Sequence, residues 1–228
     1  MQHESPIIIT ECPRSGAGII AGIIDLCGGF GGHSLDKRLY TNPIVQEYID
    51  SYMMAQGIDS QFPAQGTNTL SIPVGWKEGI ETAIKEDGYE GGVWFVKSPE
   101  AALMWPIWHQ AYPNAKWVIV RRRTGDIIES CRKTAHMKAF KLIELQERVG
   151  ARTESEGWLW CVHQYEQRFV EMITAGLDTK VIWPQRMVMG DFQQVHQLMT
   201  WVGLKWKSDV LGYVDKKLEK SRIKEDMI

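Results

Sequence analysis

The sequence predicts a single-domain α/β protein with three layers, in which a central, mainly parallel sheet lies between helices. Four short runs of apolar and β-branched residues are typical of buried strands, and segments with helical periodicity separate them. These runs are residues 7–10, 93–97, 115–121 and 180–183. A chain of 228 residues with 44% apolar residues suits one domain with a full core. We expect that domain to span 1–228, with its core at about 6–206 and a charged C-terminal segment at 207–228.

Composition argues against several classes of partner. The formal charge is −2, which predicts neither a nucleic-acid nor a membrane partner. The start of the chain lacks the pattern of a secretory signal, and no apolar run is long enough to cross a bilayer. The four cysteines lie far apart without metal-type spacing, which predicts reduced thiols, no metal site and a cytoplasmic protein. They are Cys12, Cys27, Cys131 and Cys161.

The stretch "IIITECPRSGAGII" predicts an anion site after the first strand. A tight turn carrying Arg14 and Ser15 leads into a helix that starts near Gly16. The first N–H groups of a helix have no partner, and the helix dipole favours negative charge there. The loop is therefore P-loop-like, but Ala17 stands where a Walker loop would have its lysine. That difference disfavours an ATP kinase or a GTPase.

The stretch "AKWVIVRRRTGDIIESC" predicts a second anion site after the third strand. Arg122 lies at the strand end and Ser130 lies on the following helix, so both can bind one dianion from two sides. Taken alone, the arginine run also fits a solvated basic patch or a nucleic-acid contact. A third polar residue, Lys97, ends the second strand. Sites in parallel sheets lie at the carboxyl ends of strands, where all three segments meet.

These three segments together resemble the sulfotransferases that use 3′-phosphoadenosine 5′-phosphosulfate (PAPS). In that family a Pro-(Arg/Lys)-Ser-Gly-Thr-(Ser/Thr) loop binds the 5′-phosphosulfate, and an Arg-x-x-x-Asp segment with a later Ser binds the 3′-phosphate. The resemblance implies transfer of a sulfonate from PAPS to a hydroxyl or amine of a small molecule, saccharide or peptide. The other product is adenosine 3′,5′-bisphosphate (PAP), and no metal is needed.

The resemblance also implies roles for individual residues. Lys97 and Arg14 stabilise the transferring group, and Arg122 and Ser130 bind the 3′-phosphate. The 5′ end is bound by Arg14, Ser15, Gly16, Ala17, Gly18 and Ile19.

The sequence departs from the family pattern at two points. Ala17 and Gly18 replace two hydroxyl residues of the loop, and Pro99 stands where cytosolic members have a catalytic His. His33 is a candidate general base, because an imidazole is the side chain that most often accepts a proton near neutral pH, and Asp36 is another candidate if burial raises its pKa. Both also fit the role of polar loop residues. Glu47 and His109 are weaker candidates for the base.

Two alternatives stay open on the sequence alone. The first is a nucleotide-binding module of the same fold that has lost the transfer chemistry, as the missing hydroxyls and base suggest. The second is a divergent ATP-dependent kinase acting on a nucleotide or small molecule, which only the strand, loop and helix pattern supports. Neither the acceptor nor the oligomeric state follows from the sequence.

Overall fold

The computed structural model describes residues 5–215, and within this range four parallel strands form one central sheet. The predicted α/β class with a parallel sheet flanked by helices is confirmed. All four predicted strands are present, with ends that differ by up to two residues. The spatial order is β2-β1-β3-β4. The strands are β1 (Ile7–Glu11), β2 (Phe95–Lys97), β3 (Lys116–Val120) and β4 (Thr179–Ile182).

Helices connect the strands in the way that parallel pairing requires. Within residues 5–215, three α-helices follow β1, one follows β2, three follow β3, and two follow β4 ahead of a last helical stretch at 209–215. Short 3₁₀ turns occupy Thr67–Thr69, Pro99–Ala102 and Ala139–Lys141. The α-helices are α1 (Ala17–Leu26), α2 (Pro43–Gln56), α3 (Trp76–Glu86), α4 (Trp105–Ala111), α5 (Thr124–Lys133), α6 (Ile143–Arg148), α7 (Glu154–Thr174), α8 (Gln185–Val188) and α9 (Gln193–Val202).

The two faces of the sheet bury different sets of helices, because successive side chains of a strand point to opposite faces. Ile8 belongs to a core cluster with apolar residues of α2, α3, α4, α5 and α7. Ile7 and Ile9 belong to a second cluster with residues of α1 and α9. The uninterrupted apolar run of β1 is explained by this arrangement, since both of its faces are covered.

The core extends beyond residue 206, where the sequence placed its end. Residues 209–215 are helical, and Val210 and Val214 are fully buried in the cluster that contains α1. Tyr213 also reaches α1, where its hydroxyl donates to the carbonyl of Gly18 (3.3 Å). Because charged residues surround these valines in the sequence, the short amphipathic helix was not predicted. The rest of the predicted charged segment, 216–228, lies outside the described residues.

None of the helices between residues 5 and 215 combines the length and the apolar character needed to cross a bilayer.

A candidate anion-binding site at the carboxyl end of the sheet

The strand order creates a topological switch point between β1 and β3. The connection after β1 leads to β2 on one side, and the connection after β3 leads to β4 on the other side. Connections that diverge in this way open a crevice at the carboxyl ends of the two strands, where ligands of open α/β sheets bind. The loop after β1 carries Arg14, and the loop after β3 carries Arg122. Both predicted anion motifs therefore lie at this crevice.

The loop between β1 and α1 has an unusual backbone. Arg14 has φ = 74° and Gly16 has φ = 94°, so two residues of this turn are left-handed. Such a conformation costs a residue with a side chain about 1–3 kcal/mol and is concentrated at functional sites. The turn directs the chain into α1, whose first turn contains Ala17, Gly18 and Ile19.

Ser15 is a buried polar residue of this loop. Only 2% of its surface is exposed, and its hydroxyl has no hydrogen-bond partner among the described residues. A buried hydroxyl without a partner costs about 1–3 kcal/mol, so such groups call for an explanation. A ligand oxygen at this helix N-terminus would satisfy it.

The structure brings the two predicted anion motifs into direct contact. The Nε of Arg14 donates to the Oγ of Ser130 at 3.0 Å, across 116 positions of sequence. An Nη of Arg122 donates to the carbonyl oxygen of Arg14 at 3.1 Å. The loop after β1 is thus joined to the end of β3 and to the second turn of α5. Two guanidinium groups and one hydroxyl line the same small region.

Each of the three consecutive arginines is paired with a carboxylate, and two of them share one, so they do not form one unpaired basic patch. Arg121 pairs with Glu166 of α7 and lies over the ring of Trp183. Arg123 pairs with Asp126 at 2.8 Å and is largely exposed. Arg122 lies 3.8 Å from the same carboxylate and points to the loop after β1.

Lys97 lies at the same edge of the sheet, in a buried ion pair that the sequence analysis did not anticipate. Its Nζ is 3.4 Å from Oε1 of Glu11, and the two side chains are only 12% and 6% exposed. The other carboxylate oxygen of Glu11 accepts the N–H of Ala17 at 2.7 Å. Glu11 therefore binds the first helical amide of α1. The one feature of the sequence that could have indicated this role is a charged residue at the end of an otherwise apolar strand.

A second residue of the site that was not predicted lies after β4, at the start of α8. Gln185 donates to Asp126 at 3.2 Å, and its own side-chain oxygen is buried without a partner in the described chain. The preceding Pro184 lies close to Gly16. Only the general rule that ligands bind beyond strand ends could have indicated this segment, since "WPQR" matches no motif.

The structure does not bring His33 to Lys97. The N–H of His33 donates to the carbonyl of Asp87, and its ring packs on Phe30 and Gly88. Asp87 and Gly88 lie between α3 and β2, at the amino end of that strand, whereas Lys97 lies at its carboxyl end. The weaker candidate His109 lies on α4 beside Trp105.

Asp36 is the other candidate base. The backbone N–H of Arg38 donates to its carboxylate and holds the pKa of Asp36 below its ordinary value. The condition for Asp36 to act as a base, a pKa raised by burial, is therefore not met. Asp36 and Glu47 line an open groove of about 510 Å³ together with Leu39. The carbonyl of Leu39 lies 3.7 Å from the position that a Cβ on Gly18 would take.

All four cysteines are buried free thiols, and three of them, Cys12, Cys131 and Cys161, lie close to this region. Burial raises the pKa of Cys131 to about 12 and raises that of Cys12 well above its ordinary value, with Cys161 as a hydrogen-bonding neighbour of Cys12. A thiol with a raised pKa is a weak nucleophile. Within residues 5–215, no group of three or more His, Cys, Asp or Glu residues could hold a metal ion.

Comparison with known proteins returned no match, either to models of protein families or to curated protein sequences. The site is therefore interpreted from its own geometry and chemistry.

Proposed function

We propose that this protein is a PAPS-dependent sulfotransferase with the P-loop-like fold of that family. The single observation that carries the proposal is the contact of Arg14 with Ser130 and of Arg122 with the backbone of Arg14. PAPS has anionic groups at its 5′ and 3′ positions, so it needs two neighbouring anion sites. Two motifs that resemble those sites by sequence lie side by side at the switch point.

The residues of the loop suit the 5′-phosphosulfate. The unpartnered hydroxyl of Ser15 and the amides that begin α1 can donate to phosphate oxygens. Arg122 and Ser130 suit the 3′-phosphate, since a guanidinium and a hydroxyl bind a dianion from two sides.

The proposed reaction needs charge stabilisation more than covalent help. A lone pair of the acceptor oxygen or nitrogen attacks sulfur, and the bond between sulfur and the 5′-phosphate oxygen breaks. PAP leaves with the bonding electrons, and the proton of the acceptor passes to a water molecule. Lys97 and Arg14 stabilise the charge that develops on the sulfonate and on the leaving oxygen. The groove beside Gly18 offers space for a small-molecule, saccharide or peptide acceptor.

The thiols support a cytoplasmic location. Four free cysteines, buried in the fold, support a reducing environment such as the cytoplasm.

Transfer from radiolabelled PAPS to a panel of hydroxyl and amine acceptors tests the proposal. We expect acceptor-dependent formation of PAP that Arg122→Ala abolishes, while the adjacent Arg123→Ala variant retains it. PAP binding without turnover on any acceptor would favour the second candidate, a binding module that has lost the chemistry. The distance of His33 from Lys97 and the lowered pKa of Asp36 favour that candidate.

A further inference from the structure

Glu11 makes the contacts that an anionic ligand of the proposed site would need. Its carboxylate accepts the first amide of α1 at 2.7 Å and pairs with Lys97 at 3.4 Å. The residue is 5% exposed, so its charge depends on these two partners. An internal carboxylate thus binds both the helix N-terminus and the candidate catalytic lysine.

A bound phosphate and this carboxylate compete for the same donors. Two negative groups a few ångströms apart repel each other, and the repulsion is strong where water is excluded. The ligand must therefore draw Lys97 or the Ala17 amide away from Glu11. A ligand with one anionic group gains too little from the loop to do so. A ligand with two anionic groups also gains contacts to Arg14, on the loop after β1, and to Arg122, beyond the end of β3.

We propose that Glu11 is a specificity-determining residue that withholds Lys97 and the α1 amide from simple anions and releases them to a bisphosphorylated ligand. The inference rests on the proposed function, because it takes the 5′ and 3′ groups of PAP as that ligand. It predicts that removal of the Glu11 charge strengthens the binding of inorganic sulfate more than that of PAP.

The test compares wild type with Glu11→Gln, which keeps an oxygen for the Ala17 amide but removes the charge. Glu166→Gln is the matched control, since it removes a carboxylate paired with Arg121 and changes the net charge equally. Glu11→Ala serves as a second variant if the glutamine variant folds poorly. Each protein is titrated with inorganic sulfate and with PAP. The acylation rate of Lys97 is measured separately by mass spectrometry.

We expect Glu11→Gln to bind sulfate about tenfold more tightly than wild type, to gain less for PAP, and to acylate faster at Lys97. The control should match wild type in all three measurements. Unchanged or weaker sulfate binding, or unchanged acylation of Lys97, overturns the inference. If wild type does not bind PAP but the sulfate and Lys97 effects are observed, the proposed function is refuted. Glu11 would then still withhold Lys97 and the α1 amide from simple anions.

Discussion

Arg14 donates a hydrogen bond to Ser130, so that the turn after the first strand is joined to the helix after the third strand. The bond matters because each residue belongs to a different predicted anion motif. The two groups satisfy each other through this bond. A ligand with two phosphate groups can replace the bond with contacts of its own to both.

The space around Gly18 allows a side chain with a hydroxyl group, and we expect such a substitution to strengthen nucleotide binding. A Cβ at this position meets nothing closer than 3.7 Å, and its backbone is not left-handed. One added hydrogen bond is worth about 0.5–1.5 kcal/mol, so Gly18→Ser should bind PAP about two- to tenfold more tightly. Calorimetry measures this, with Gly18→Ala as the control that adds the carbon without the hydroxyl. Equal affinities of the two variants would mean that no phosphate oxygen comes near this position.

The next glycine of α1 tolerates no side chain. A Cβ on Gly22 would lie 2.0 Å from the hydroxyl of Tyr213 and 2.7 Å from Tyr40. We expect Gly22→Ala to lower the free energy of unfolding by about 1–3 kcal/mol, because Tyr213 must leave its place against the helix. Denaturant titration checks this. Wild-type stability in Gly22→Ala would show that the helix at 209–215 does not pack on α1.

The buried pair of Lys97 and Glu11 makes each residue depend on the other. Lys97→Met leaves the Glu11 carboxylate buried without its counter-charge, and we expect a loss of about 3–5 kcal/mol of unfolding free energy. Adding Glu11→Gln should restore at least about 1 kcal/mol of this loss, because no unpaired charge remains. A double-mutant cycle by denaturant titration measures the coupling. Additive effects would contradict a direct interaction.

Alkaline pH should weaken the fold through Cys131. Burial raises its pKa to about 12 from an ordinary value of 9.0, so the stabilisation is complete below pH 9. Between pH 9 and 12 the unfolded thiol loses its proton while the folded one keeps it, and stability falls by at most about 1.4 kcal/mol per pH unit. Unfolding titrations across this range should show a shallower fall for Cys131→Ala. Parallel curves would contradict the raised pKa.

The architecture could be predicted from sequence because the relevant signals are local. Apolar runs marked the strands, and a local cap is present at the start of α7, where the hydroxyl of Thr153 accepts the N–H of Glu156. Pro106 does not interrupt α4, because it lies in the first turn of the helix, where a missing N–H costs nothing. The valines at 210 and 214 were hidden because their burial depends on α1.

The site was predictable only in part, for a related reason. Arg14, Lys97 and Arg122 could be placed at one edge because each follows a strand. The partners of these residues depend on which strands are neighbours, which the sequence does not reveal. Glu11 meets Lys97 because β1 pairs with β2, and Gln185 reaches Asp126 because β4 lies beside β3. The position of His33 could not be predicted, because the glycine-rich segment around it leads to the end of β2 opposite Lys97.

The most direct test of the account is a calorimetric titration of wild type, Arg122→Ala and Arg123→Ala with PAP and with AMP, which lacks the 3′-phosphate. We predict that wild type prefers PAP, and that Arg122→Ala loses about 10- to 100-fold in PAP affinity, as expected for a charged hydrogen bond, with no change for AMP. Arg123→Ala should behave as wild type. Equal binding of PAP and AMP by wild type, or equal losses for the two nucleotides in Arg122→Ala, would contradict a 3′-phosphate site at Arg122.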